Sequence, residues 1–388
     1  MSSVVINKLG YRPLPQEIYE ALASSIDEMG GVRAFVKPGD RVVIKPNLTW
    51  EVEHETTSRP VIFAVSKFFV DQGCRVVIGE NVRASRQTET VIKALHIPEL
   101  VRRLGIEFVD LGQDLVTVPT PASPVYESVQ ISRVAMESDA LINLPLMKSL
   151  PILTHVTMGL KNMKGVLPPE QKIQFHDMGL AEGIALISHV LPPKLTVLDA
   201  TLPLDWRTDG SYAIRPMGLV LVSDDVLACD VVAASLMGFD PGQIDHFVYA
   251  HRLGVGELEL DNIRLVGGDI EKLRANFAQT PTMDELLEEL PGVQVVSAGA
   301  CSSCEVAVAT ALLAAREQLR VLKDVAVLVG ADAEPIPGKR HIVAGRCLGQ
   351  YKDVGCWIPG CPPGMMVQKL VDFTEQTEQF PTYHRKAR

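Results

Sequence analysis

Hydrophobic side chains recur at helical spacing near the start of the chain, at Ile18, Leu22 and Ile26. This spacing predicts a helix that ends at the glycine pair 30–31. A short β-branched run at 41–45 follows and predicts a strand. The first part of the chain is therefore expected to be a helix that leads into a buried strand.

The same alternation of helical and strand patterns continues along the chain. Helices are predicted at 59–71 and 225–237, with another after Pro241, and strands at 75–79, 107–111, 140–144, 194–198 and 218–222. Several of these strands are apolar throughout instead of alternating, which is typical of strands that are buried on both faces. The sequence predicts an α/β fold with a mostly parallel sheet and helices on both faces.

A second, smaller unit is predicted near the C-terminus. Residues 280–292 resemble a short acidic helix and a linker that ends at Pro291 and Gly292. Beyond it, strands are predicted at 293–298, 325–330 and 341–345, and helices at 305–319 and 365–373. We therefore expect a large α/β domain over 1–290 and a smaller, cysteine-rich α/β domain over 291–388.

Composition and charge narrow the range of partners. The 388 residues are 47% hydrophobic and 22% charged, and the formal net charge is −10. An acidic chain of this kind does not favour nucleic acid or an anionic membrane surface as a partner. The N-terminus has no pattern of a signal peptide, and no apolar run reaches the roughly 20 residues needed to span a bilayer. The sequence predicts a cytoplasmic protein without a membrane partner.

Five of the seven cysteines fall between Cys301 and Cys361, which indicates metal or redox chemistry in a reducing compartment. Cys301 and Cys304 follow a predicted strand at the start of a helix, where the helix dipole favours thiolates. Cys347 follows another strand, and Cys361 lies in a loop rich in proline and glycine. Because the carboxyl ends of parallel strands lie together, these thiols are expected to converge on one 4Fe–4S cluster. The alternatives are a zinc site, a redox dithiol or inert core cysteines.

The segments 299–306 (GACSSCEV) and 359–363 (PGCPP) carry a resemblance to a known family. They resemble the flavodoxin-like cluster domain of nickel–iron hydrogenase small subunits, and the second motif is similar to that of a related quinone-oxidoreductase subunit. The resemblance implies that Cys301, Cys304, Cys347 and Cys361 bind a 4Fe–4S cluster. The spacing departs from that family because Cys356 lies between the last two, so Cys356 could replace Cys347 as a ligand.

A second candidate site lies in the large domain, where lysine, histidine and amide side chains follow a predicted buried strand. Cationic and amide groups of this kind can bind a carboxylate or phosphate, and a neighbouring histidine can transfer a proton. The predicted substrate-binding residues are Lys45, Asn47, Lys148, Asn162 and Lys164, and the predicted catalytic residues are His155, Lys161 and His176. Lys172 lies close by in the sequence. The alternative is a solvated loop whose lysines are in ordinary positions.

This part of the chain resembles the domain of unknown function 362 family. The resemblance rests on the Lys-Pro-Asn-Leu element at 45–48, on Lys148 with the segment 155–165, and on the segments 223–225 and 238–241. The family is associated chiefly with iron–sulfur proteins and has no general assigned reaction. Many members carry a ferredoxin-type run of cysteines, which this chain lacks, and the hydrogenase-like module takes its place.

These features together predict a cytoplasmic oxidoreductase that uses a 4Fe–4S cluster to exchange electrons with an anionic small organic substrate. One alternative is an electron-transfer or cluster-delivery subunit that docks on a partner protein. Another is a lyase or isomerase in which one iron acts as a Lewis acid. The sequence contains neither a P-loop nor a dinucleotide-binding glycine motif.

Overall fold

The computed structural model describes residues 1–82, 87–120, 123–150, 154–207, 211–279, 281, 283–361, 363, 365–380 and 382–383, without the side chains of 302, 303 and 377. Residues 151–153 of the lysine-rich segment, and residues 362 and 364 beside Cys361, lie outside this part of the chain. Two sheets dominate the described structure, one in each of the units predicted from the sequence.

The large unit contains thirteen described strands and eleven described helices. The strands are β1 Ser3–Lys8, β2 Arg41–Pro46, β3 Arg75–Glu80, β4 Glu107–Asp110, β5 Leu115–Pro119, β6 Ser128–Ser132, β7 Ala140–Leu144, β8 Leu146–Leu150, β9 His155–Thr157, β10 Leu195–Trp206, β11 Tyr212–Ile214, β12 Leu219–Ser223 and β13 Arg264–Val266. The helices are α1 Pro15–Glu28, α2 Arg59–Asp71, α3 Thr88–Ala94, α4 Ile97–Leu104, α5 Arg133–Met136, α6 Gly159–Asn162, α7 Pro169–Met178, α8 Leu180–Val190, α9 Val226–Met237, α10 Asp245–Arg252 and α11 Ile270–Leu273.

The main sheet has the strand order β13-β1-β12-β10-β7-β2-β3-β4. Neighbouring strands are parallel except where β12 pairs with β1 and β10. Separate apolar cores lie on its two faces, one under α1 and α2 and the other under α8 and α9. The prediction of an α/β fold with a largely parallel sheet between helices is confirmed.

The carboxyl ends of β2, β3 and β7 lie side by side at one edge of this sheet. β8 follows β7 after a single residue, Pro145, and pairs with β10 and, in the antiparallel sense, with β9. The strand predicted at 194–198 extends to Trp206 as β10. This longer strand supports the β8–β9 pair, which places Lys148 beside the ends of β2 and β3.

The second unit begins with α12 Met283–Glu288, followed by β14 Val293–Ser297, α13 Ser302–Ala314, α14 Arg316–Leu319, β15 Val325–Val329, β16 Arg340–Ala344, β17 Cys356–Ile358 and α15 Met366–Glu375. Its four strands are parallel and follow one another in chain order. Leu286 and Leu290 pack in the core of this unit, although the predicted boundary assigned both to residues 1–290. The described strands do not establish a flavodoxin-like order, which stays a prediction.

Within the described part of the chain, no helix combines the length and the apolar character needed to cross a membrane.

Candidate functional site

A buried ion pair lies at the carboxyl edge of the main sheet. Lys45 near the end of β2 places its Nζ 2.9 Å from Oε2 of Glu80 at the end of β3, and the two side chains are 0% and 1% exposed. Burial lowers the pKa of Lys45, and the attraction of Glu80 opposes that shift. The backbone of Gly165 lies directly against the pair, because a Cβ at that position would overlap Glu80 Oε1. Lys45 is therefore a buried, structural member of the site.

A chain of buried amides connects this pair to Lys148. Asn162 Oδ1 accepts hydrogen bonds from Lys45 Nζ at 3.3 Å and from Asn47 Nδ2 at 3.2 Å. Asn162 Nδ2 donates to Asn143 Oδ1 at 2.8 Å, and Lys148 Nζ donates to Asn47 Oδ1 at 3.3 Å. Buried polar networks of this kind hold their members in one arrangement. The structure thus brings together four of the predicted substrate-binding residues.

Three lysines surround this network, and burial lowers the pKa of each. The pKa is lowered to about 8 for Lys148 and to about 7 for Lys164 and Lys172. Desolvation is the largest cause in all three cases, because a charged amine loses water when it is buried. We call Lys148, Lys164 and Lys172 the lysine site. These three amines are partly desolvated, and each gains or loses a proton near neutral pH.

Helix α7 supplies two members of this region. Lys172 Nζ donates to the Asn81 carbonyl, to Asn81 Oδ1 at 2.6 Å and to the Val82 carbonyl at 2.9 Å. His176 lies one turn further along α7, and its Nε2 is 3.2 Å from Lys164 Nζ. The structure brings Lys164, predicted to bind substrate, next to His176, predicted to be catalytic, and the two groups can share a proton.

The other predicted catalytic residues lie in a second cluster. Lys161 Nζ donates to Thr154 Oγ1 at 3.0 Å, and the His155 ring is 6.3 Å from that of Phe239. Burial lowers the pKa of His246 to about 3, and Lys161 and His155 add to that shift. His155 and Lys161 are therefore neighbours of the α10 residue His246.

Asp230 holds the start of α6 in place. Its carboxylate oxygens accept hydrogen bonds from the backbone amides of Gly159 at 2.7 Å and Leu160 at 2.8 Å. The side chain is fully buried, and burial raises its pKa to about 7. Because α6 carries Asn162, Asp230 positions the amide that joins Lys45 to Asn47.

Sequence reasoning missed several of these residues. Glu80 and Asn81 follow an apolar strand in the same way as Lys45 and Asn47, and this position was the available signal. Asp230 is the one acidic residue in the otherwise apolar segment 226–237. A buried acid in such a segment indicates a partner elsewhere in the fold.

Three cysteines of the second unit, Cys301, Cys347 and Cys361, lie close enough to Cys304 to act on it electrostatically. Cys301 precedes α13 and Cys304 is in its first turn, whereas Cys347 follows β16 and Cys361 follows β17. Burial raises the pKa of Cys304 to about 12, and Cys301, Cys347 and Cys361 add to the shift because their charges act on it. Among the described residues, no group of three or more histidine, cysteine or acidic side chains is arranged to hold a metal ion.

Cys356 lies in the core of the second unit. It lies within β17, is 9% exposed and packs in the core beneath α15. The charged groups that act on it are Lys369 and Asp372 of that helix. Cys356 packs in the same apolar core as Cys304, but unlike Cys301, Cys347 and Cys361 it is not among the groups that act electrostatically on Cys304.

The two candidate sites are connected through a helix contact. Helix α13, which begins beside Cys301, packs against α7, which carries Lys172 and His176. The contact joins the cysteine module to the helix that lines the lysine site.

The sequence of the large unit matches one protein family. The family described as domain of unknown function (DUF362) matches residues 42–235, which is half of the chain. This chain belongs to the DUF362 family. The DUF362 segment includes the Lys45–Glu80 pair, the lysine site and Asp230, and it ends before the five cysteines of the second unit.

The chain is also similar to two other proteins. It is 29% identical over 257 residues to the thylakoid-associated protein sll1697 of Synechocystis sp. (strain ATCC 27184 / PCC 6803 / Kazusa), covering 62% of this chain and 78% of that protein. A structural similarity links it to the lactate racemase apoprotein of Thermoanaerobacterium thermosaccharolyticum, with a TM-score of 0.41 and 13% identity. That alignment covers 84% of this chain and 69% of the racemase.

Proposed function

We propose that this DUF362 protein is an iron–sulfur oxidoreductase that exchanges electrons with an anionic small organic substrate bound at the lysine site. The observation that carries the proposal is that Cys301, Cys347 and Cys361 follow the carboxyl ends of the parallel strands β14, β16 and β17 and act electrostatically on Cys304. The packing of α13 against α7 supports it, since electron transfer requires the two sites to be close.

The set of donors fits a 4Fe–4S cluster. Such a cluster is held by four cysteine thiolates, one on each iron, so its ligands lie further apart than those of a single ion. Cys301, Cys304, Cys347 and Cys361 would hold it, and it would supply single electrons when bound. A ligand set of four thiolates favours electron transfer over Lewis-acid chemistry, because the latter needs an iron without a protein thiolate.

The lysine site supplies the binding chemistry for the substrate. Lys148 and Lys172 lie around the buried Glu80, whose charge favours their protonated forms. Protonated amines bind carboxylate or phosphate through charge-assisted hydrogen bonds. The contact between Lys164 and His176 places a group that can give or take a proton beside the bound anion.

The affinity for a carboxylate is expected to fall as the pH rises. An amine is charged below its pKa, and the pKa is about 7 for Lys164 and about 8 for Lys148. Benzoate should therefore bind about tenfold more tightly at pH 6 than at pH 9, since each lost charge weakens a charge-assisted hydrogen bond. Equilibrium dialysis at constant ionic strength measures this change. An affinity that is equal at both pH values contradicts the role of these lysines.

The proposal is tested first by the metal content of the protein purified without oxygen. We expect about four irons and four sulfides per chain, a broad visible band that bleaches with dithionite, and an EPR signal from the reduced protein. A colourless protein that contains zinc overturns both the cofactor and the redox function. Iron that is present but unchanged by dithionite overturns the redox function alone.

A cytoplasmic location belongs to the same proposal, since reducing conditions keep cysteines available as metal ligands. The relative in Synechocystis is named for its association with thylakoids. Cell fractionation with an antibody against this chain therefore tests the location, and recovery with membranes contradicts it.

A further inference from the structure

An aromatic cluster lies at the surface beside Lys148. Tyr212 of β11 is 40% exposed. Its ring centroid is 5.1 Å from that of Trp206 and 5.1 Å from that of His54. The Tyr212 hydroxyl is also 2.7 Å from His54 Nε2. We call His54, Trp206 and Tyr212 the aromatic shelf.

Hydrogen bonds connect one side of the aromatic shelf to Ser149, the neighbour of Lys148, and the other side to Lys148 itself. The backbone amide of Trp206 donates to Oγ of Ser149 at 2.9 Å. At the other end, the carbonyl of Glu55, which follows His54, accepts a hydrogen bond from Lys148 Nζ at 2.9 Å. The pairing of β10 with β8 alongside Lys148 supports these two hydrogen bonds. The backbone on either side of the shelf is therefore linked by hydrogen bonds to Ser149 and to the Lys148 ammonium group.

We infer that the aromatic shelf determines the specificity of the lysine site and selects a planar aromatic carboxylate. The ring would stack on Tyr212 and Trp206 while the carboxylate is directed to Lys148. This inference rests on the proposed function only in taking Lys148 as an anion-binding group, and it does not depend on the cluster.

Charge and shape both support this class of ligand. Stacked or tilted aromatic pairs contribute about 0.5–1.5 kcal/mol beyond the burial of area. A saturated ring gains the same hydrophobic contact without that contribution. The Glu55 carboxylate also acts on Lys148, so its negative charge favours a monoanion over a more highly charged phosphate.

The test compares benzoate with cyclohexanecarboxylate by equilibrium dialysis at pH 6. The two acids carry the same charge and have rings of similar size, but only benzoate is planar and aromatic. We expect the protein to bind benzoate about three- to tenfold more tightly. Benzoate should also change the tryptophan fluorescence, because Trp206 lies in the shelf.

Variants locate the source of the preference. Tyr212→Leu should bring the two affinities close to equality, whereas Tyr212→Phe retains a ring and should keep the preference. Tyr11→Leu is the matched control, since Tyr11 is an exposed tyrosine, 60% accessible, outside the shelf. Lys148→Met should weaken both acids by the same factor.

The outcomes separate this inference from the proposed function. Equal affinities in the unmodified protein, or a preference that survives Tyr212→Leu, overturn the shelf as a specificity surface. If Lys148→Met still weakens both acids in that case, the anion site stands. Failure of the unmodified protein to bind either acid overturns the anion site and the inference together.

Discussion

Replacing Cys361 with alanine is expected to remove nearly all of the cluster iron, whereas replacing Cys356 is expected to leave it in place. Cys361 is exposed and acts on Cys304, so its loss removes one proposed ligand without disturbing a core. Cys356 packs beneath α15. The iron content should fall from about four to below about one per chain in Cys361→Ala and stay near four in Cys356→Ala.

The variant Cys347→Ala resolves the choice that the sequence left open. It should behave like Cys361→Ala, because Cys347 also acts on Cys304. Far-UV circular dichroism checks that each variant is folded, and iron and sulfide are assayed on the same samples. Cluster loss in Cys356→Ala together with retention in Cys347→Ala would reverse the ligand assignment. Retention in every variant would place the iron elsewhere.

The replacement Lys45→Met is expected to destabilise the large unit strongly. It leaves Glu80, which is 1% exposed, without its partner at 2.9 Å. Breaking a buried ion pair in this way typically costs about 3–5 kcal/mol, because an uncompensated charge stays in the interior. Urea unfolding followed by circular dichroism measures the change, with the slope of the transition compared between variants.

A double variant and a surface control make this result specific. Lys45→Met with Glu80→Leu should recover part of the lost stability, since neither charge is then left unpaired. Lys93→Met is the control, because Lys93 and Glu89 form a pair in which both side chains are largely exposed, 66% and 75%. That variant should not differ measurably from the unmodified protein. An equally small effect of Lys45→Met would contradict the structural role of the buried pair.

Local patterns predicted many of the elements because their signals lie within a few residues of one another. The helix α2 was predicted at its observed bounds, and most strands of the main sheet were placed within one or two residues. β1 was not predicted, since it owes its place to pairing with β12 and β13, which are more than 200 residues away in the sequence. A six-residue segment carries little information of its own about partners at such a distance.

The cysteines show the same division between local and distant information. Their positions after strands and beside helix starts can be read from the sequence, because these are properties of single strand–helix boundaries. The sequence cannot decide whether Cys347 or Cys356 is the ligand, since both lie close to Cys361 along the chain. The structure distinguishes the two by position, since Cys356 lies within β17, where it pairs with Ile342, whereas Cys347 is exposed and acts electrostatically on Cys304.

The sequence by itself determined the α/β class, the DUF362 resemblance and the concentration of lysines and amides after the strands. Only the tertiary structure decided how those polar groups are used. Lys45 is paired with Glu80, Asn162 is held through Asp230, and Lys148 is left beside the aromatic shelf. The physical reason is that burial and pairing depend on neighbours from distant segments, and these set the charge and accessibility of each group.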